Sequence, residues 1–259
     1  MSRVSSPLLA VVARELQSVV GTPAGWAIAG GAGTAVLTIA SLSAPMGYQA
    51  TAIDLLVLLE VLVPAVGVAL GYRAVLQDRL RGEWAIHRAI GVAPRTYVLG
   101  LLLGQTTAAG LIIGGSLSVA SVVVALRRTR PIAFLASTPA VADPAAMLWL
   151  TGLTVAYTGV IAAIVMVLSS LVRRRRGAVL GAVVVVGLLV VGIDAVAIVL
   201  PTPLPVLVAM SPGSAYRTLV LTVAVGLTPD APVGAALLGW FTWLSGATLL
   251  SIRRLRMTA

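Results

Sequence analysis

Three carboxylates stand inside apolar runs of this 259-residue chain: Asp54 and Glu60 in one run, Asp194 in another. An ionisable group at membrane depth is costly, so each is a candidate for a proton or ion path, for conformational coupling, or for a structural ion pair. Glu60 has the strongest claim, falling near the middle of its run one turn before Pro64, whereas Asp54 lies toward the run's outer end. A shared-proton pair of Asp54 and Asp194 would activate water. However, the residues around Asp194 read Gly192-Ile193-Asp194 and lack the GxGD pattern of intramembrane aspartyl proteases. No GxSxG turn occurs, the only histidine is His87, and cysteine is absent. Serine-elbow and thiolate chemistry are therefore excluded. His87 and the scattered Met46, Met147, Met166, Met210 and Met257 form no metal-ligand cluster. No catalytic residue and no metal ligand is assigned. All 18 basic residues are arginine. A P-loop needs the lysine of GxxxxGK[ST], so ATP with its Mg would have to be handled by a partner and no cofactor is assigned to this chain.

The elements that position these groups are membrane spans. Hydrophobic residues make up 59% of the chain and charged residues 10%, with mean hydropathy +1.06; a soluble domain carries about 25% charged residues. The net charge of +10 reports topology rather than nucleic acid, because the arginines gather at the ends of apolar runs. A span takes about 20 apolar residues. Six runs qualify, at 24–44, 51–72, 97–126, 147–172, 177–199 and 233–252. They predict an all-α membrane protein, one domain over 1–259, in the cell membrane. Placing both termini on the cytoplasmic side puts 14 arginines inside and leaves Arg127, Arg128, Arg130 and Arg217 outside.

Two further elements flank the spans. Over 7–21, Leu8, Leu9, Val12, Leu16, Val19 and Val20 share one helical face and Arg14, Gln17 and Ser18 the other, which predicts a helix lying on the cytoplasmic leaflet. Residues 200–232 open with Pro201, Pro203 and Pro205, then offer Ser211-Pro212 as cap and first turn. The apolar run that follows, SAYRTLVLTVAVGL, has 14 residues, too short to span, and predicts an outer re-entrant or interfacial helix. Small residues at helix-packing spacing (Gly25, Ala29 and Gly33; Gly100 and Gly104; Gly110 and Gly114; Gly177 and Gly181) predict close helix contacts.

Charge interrupts the apolar runs most strongly between Tyr72 and Gly100. Asp78, Arg79, Arg81 and Glu83 precede Trp84, Ile86, Ala89 and Ile90, a spacing that predicts an amphipathic helix of a few turns. Gly91 would end it, and Pro94 blocks its direct continuation into the third span. A short amphipathic helix held between two spans has the shape to dock into a groove on a soluble partner.

This elbow resembles the ABC-2 type permeases, the membrane subunits of ABC transporters, whose corresponding boundary often reads ERExGTLxLLLSxPVSRxxYxLGK. Here the run is Asp78-Arg79-Leu80-Arg81-Gly82-Glu83-Trp84, then Ala89-Ile90-Gly91-Val92-Ala93-Pro94-Arg95, then Tyr97-Val98-Leu99-Gly100. Gly82, Val92, Arg95, Tyr97 and Gly100 match. Gly91 replaces the usual proline, Glu83 the threonine, and Leu101 the closing lysine. Within that family the chain is most similar to permeases of nitrous-oxide-reductase maturation transporters, on Ala13-Arg14-Glu15-Leu16 and on Ser211-Pro212-Gly213-Ser214-Ala215-Tyr216-Arg217. The resemblance implies a homodimer of permeases working with a separate ABC ATPase, and an outer auxiliary protein in the maturation subgroup. It also implies that 78–95 is the coupling segment, with Gly82, Glu83, Trp84, His87, Arg88, Gly91 and Arg95 as its contacts. Two other classes stay open on the residues alone: a secondary transporter using Glu60, Asp54 and Asp194, and an intramembrane hydrolase.

Overall fold

The computed structural model describes residues 6–72, 89, 91–127, 144–172, 175–188, 205–228 and 231–257. The described elements are helical: α1 (Pro7–Val20), α2 (Pro23–Ser43), α3 (Tyr48–Gly71), α4 (Pro94–Arg127), α5 (Ala145–Leu171), α6 (Arg175–Gly187), α7 (Pro205–Ala209), α8 (Pro212–Leu219) and α9 (Val233–Met257). Among the described residues, five helices are long and apolar enough to cross a membrane: α2 with the turn that follows it, α3, α4, α5 and α9. Their bounds differ from the expected runs by a few residues at each end. Of the expected 177–199 span, α6 and residue 188 are described, and the remainder lies outside the described residues.

Three helices start by the same local device. Ser6, Thr22 and Ser211 each precede a proline, and each side-chain oxygen accepts from the backbone N–H three residues on, at 3.4, 3.2 and 3.2 Å respectively. The proline has no N–H to leave unsatisfied and its fixed φ suits the first turn. Between α2 and α3 the chain reverses through a 3₁₀ turn, Ala44–Met46, and Gly47, whose φ of 96° is a region glycine enters without penalty.

Packing contacts give the directions. Gly67 of α3 faces Ile161 of α5 and Gly71 faces Val165, so these helices run the same way. Gly110 and Gly114 of α4 face Val155 and Thr151, and Gly159 faces Thr106, so α4 runs against α5. Tyr157 of α5 stacks near Trp240 of α9, and Met166 shares a cluster with Leu255, so α9 runs with α5. One apolar core joins α2, α3, α4, α5, α6, α8 and α9, with Leu55, Leu59, Ile113, Leu117, Leu150 and Ile161 among its fully buried side chains.

The amphipathic N-terminal helix does not stand apart from the bundle. It lies along the first turns of α4, where a Cβ on Gly100 would sit 2.8 Å from Val11 and one on Gly104 2.6 Å from Glu15. Val11 packs against α4 and is buried, whereas Leu9 and Val20, on the face expected to lie on the leaflet, are exposed. Gly100 and Gly104 leave room on α4 for the close approach of Val11 and Glu15. At 34 residues, α4 is about 51 Å long, longer than a roughly 30 Å hydrocarbon core, which leaves its first turns for α1 to cover.

Candidate functional site

The polar groups of the bundle converge on a hairpin between α6 and α9. After α7 the chain turns at Met210 and Ser211, runs back as α8, and continues through a π-helical stretch, Val220–Val225, to Gly226 at φ 76°. Its tip reaches deep into the bundle. Trp243 Nε1 donates to the Met210 carbonyl at 3.1 Å, and Trp240 Nε1 donates to that of Pro212 at 3.2 Å. Gly239 permits this approach, since a Cβ there would meet the Met210 carbonyl oxygen at 2.6 Å. The far end returns to the start of α3, where Gln49 Nε2 donates to the Val225 carbonyl at 3.0 Å. In place of one regular helix, the described part of the expected outer segment forms two short helices and a π stretch packed against the bundle.

Glu60, midway along α3, is where the hairpin is fastened. Arg217 of α8 donates from Nε to Glu60 Oε1 and from Nη2 to Oε2, both at 2.7 Å. This is the planar, two-bond geometry in which guanidinium and carboxylate bind most specifically. The Glu60 side chain is 11% exposed and that of Arg217 47%. Pro64 sharpens the point, because it has no N–H to donate to the Glu60 carbonyl, so the α3 ladder is interrupted at the residue that holds Arg217. Elsewhere α8 is buried. Tyr216 stacks on Tyr157 at 4.6 Å between ring centroids and 8° between planes, and its hydroxyl is 2.8 Å from Thr154 Oγ1. The Tyr216 side chain is fully buried, and this hydrogen bond satisfies its hydroxyl.

At the opposite, elbow end the contacts are steric. Added Cβ atoms on Gly67 and Gly71 would lie 2.6 Å from Ile161 and 2.9 Å from Val165. Just beyond, Ser169 Oγ donates to the Tyr72 carbonyl at 3.2 Å. Gln105 of α4 is buried against Gly71, and its amide has no hydrogen-bond partner among the described residues.

Of the residues singled out by sequence, Glu60 is drawn into the hairpin latch, while Asp54 accepts from Ser43 Oγ and ties α3 to the end of α2. Asp194 lies outside the described residues, as do Gly82, Glu83, Trp84, His87 and Arg88. Gly91 has φ 80°, the left-handed geometry expected of a helix stop, and Arg95 is exposed in the first turn of α4. By sequence Arg217 is one of four arginines outside and the last residue of the Ser211–Arg217 segment that carries the subgroup resemblance, with no partner assigned. A lone mid-span glutamate and a lone arginine in a short apolar helix were the available signal for the pair. Gly67 and Gly71 carry the same four-residue spacing as the other glycine pairs and were passed over.

A bidentate ion pair at mid-bundle engages both oxygens of the carboxylate, which suits a latch better than a proton acceptor. No family model matches the chain, and no curated protein matches it.

Proposed function

We propose that this chain is the membrane-spanning permease subunit of an ABC-2-like exporter, dimerising in the cell membrane and drawing work from a separate ATPase. The elbow between α3 and α4 carries the reading: it is the one strongly charged amphipathic interruption of the apolar sequence, with a left-handed glycine at 91 and a helix restart at Pro94. Its segment 78–95 acts as the coupling helix, with Trp84 as buried anchor and Glu83, His87, Arg88 and Arg95 setting register.

The bundle supports a route for that work. A push on the elbow acts on the end of α3, which meets α5 through Gly67 and Gly71 with little room to slip. The displacement then reaches Glu60, the interrupted turn at Pro64, and the hairpin that Arg217 fastens. Since α5 and α9 run the same way, one return crossing between them agrees with α6 as the start of a sixth span and with both termini in the cytoplasm. Cargo export or conformational work on an outer auxiliary protein, as in copper-enzyme maturation, would be exerted at the hairpin.

The test is association with a candidate ABC ATPase co-expressed with this chain. Trp84→Ala combined with Arg88→Glu is expected to abolish co-purification from detergent and the stimulation of ATP turnover. Unchanged association and turnover would refute the docking role, as would ATP turnover by the isolated chain.

A further inference from the structure

A groove of about 420 Å³ lies between α5, α6 and α9, lined by Ile164 and Leu168, by Val185, and by Trp243, Gly246 and Leu250. It is apolar apart from Thr242 at its hairpin end. Trp243, Gly246 and Leu250 recur at helical spacing on one face of α9, and the next positions of that face are Arg253 and Arg254, both exposed. Since α9 runs with α5, these arginines lie at the end of the bundle where α5 stops at Leu171 and α6 opens with Arg175-Arg176. None of the three helices holds an acidic residue, so the charge at this end of the groove is of one sign. From Thr242 to Arg253 the α9 axis rises about 16 Å, close to the hydrocarbon thickness of one leaflet, half of roughly 30 Å. A second groove of about 400 Å³, between α1, α2 and α4, has no such ending: the only arginine of α1, Arg14, donates to Glu15 at 3.2 Å.

We infer that this groove holds one anionic phospholipid, with an acyl chain along Trp243, Gly246 and Leu250 and the phosphate at Arg253 and Arg254. A guanidinium binds phosphate through paired hydrogen bonds, and the cytoplasmic leaflet is the anionic one, drawing basic residues that follow a span. In a zwitterionic lipid the amine offsets the phosphate charge, so the arginines select by headgroup while the groove accepts either chain. Gly246 keeps the groove clear, because it faces open space that a larger side chain would fill. The lipid would join α9 to α5 and α6 beside Trp243, whose indole holds the hairpin tip at the Met210 carbonyl. From the permease reading the inference takes the cytoplasmic placement of the end of α9, and it does not need the ATPase.

Native mass spectrometry of the detergent-purified chain, titrated with phosphatidylglycerol or with phosphatidylcholine of the same acyl chains, tests the site. Wild type is expected to retain one phosphatidylglycerol several-fold more than phosphatidylcholine. Arg253→Gln with Arg254→Gln should abolish that preference, whereas Arg253→Lys with Arg254→Lys should keep most of it. Arg127→Gln, on an exposed arginine at the other end of the bundle, should leave it unchanged. Gly246→Leu should lower retention of both lipids several-fold. No preference in wild type, a preference that survives the paired glutamines or is lost equally on Arg127→Gln, or retention untouched by Gly246→Leu would overturn the site. A lipid-free dimer that Gly246→Leu dissociates would overturn it as well and give the groove to a second copy. Because binding is read in detergent from the chain alone, membrane orientation and ATPase coupling do not enter the result. Lipid selectivity without ATPase association removes the coupling alone, and association without lipid selectivity removes this site alone.

Discussion

At the elbow end, α3 meets α5 through Gly67 and Gly71, backbone against the branched side chains of Ile161 and Val165; toward the hairpin end, α3 meets its neighbours through Glu60, Asp54 and Gln49. The first kind of contact is short-ranged and tolerates little change of spacing, so it passes a push on. The second is directional, and in a low-dielectric interior its partners are either paired or strongly penalised, so it holds in one arrangement or lets go. A helix that is stiffly coupled at one end, latched at the other, and interrupted at Pro64 between them is suited to turning a movement of the elbow into release or displacement of the hairpin.

The contrast can be broken most severely at the latch. Arg217→Ala leaves Glu60 buried without its cation and is expected to cost about 3 kcal/mol, at the low end for breaking a buried pair because the guanidinium is partly exposed. Replacing both partners, Glu60→Leu with Arg217→Met, should return stability to within about 1 kcal/mol of wild type while the hairpin loses its fixed register. Thermal unfolding in detergent reads the first effect and protease sensitivity around residue 226 the second. At the elbow end the expectation is steric: Gly67→Val costs about 1–3 kcal/mol by overpacking against Ile161. Gly115→Ala, beside open space, should be neutral or stabilising by up to about 1 kcal/mol. Equal losses at the two glycines would refute the stiff contact.

Smaller effects sharpen the comparison. Tyr216→Phe keeps the ring stack and removes only the Thr154 hydrogen bond, for an expected loss of about 1 kcal/mol in a denaturant titration. Gln105→Leu removes a buried amide that has no partner among the described residues and should raise stability by about 1 kcal/mol. A loss on Gln105→Leu would mean that the elbow end depends on a polar contact after all.

Helix starts were the most legible part of the fold, because Ser211-Pro212 and the Pro94 that opens α4 act within a few residues of themselves. That 200–232 would not form one spanning helix was legible too, from its prolines and a run too short to span. What fastens it was not: Glu60 and Arg217 are 157 positions apart, and no local pattern joins them. The contact of α1 with α4 was not legible for a related reason. Its apolar stripe is a property of the helix alone, whereas the contact is made by Val11 and Glu15 where Gly100 and Gly104 leave room on α4.

The most direct measurement is a distance across the hairpin end while the proposed ATPase partner works. Spin labels on Val223→Cys in the π stretch and Leu42→Cys at the end of α2 sit on exposed positions in a chain otherwise without cysteine. With the ATPase bound, adding ATP under trapping conditions should shift the distance distribution. The shift should vanish when the elbow carries Trp84→Ala with Arg88→Glu. A distribution unmoved by ATP, in an assembly that still hydrolyses it, would contradict coupling from the elbow to the latched hairpin.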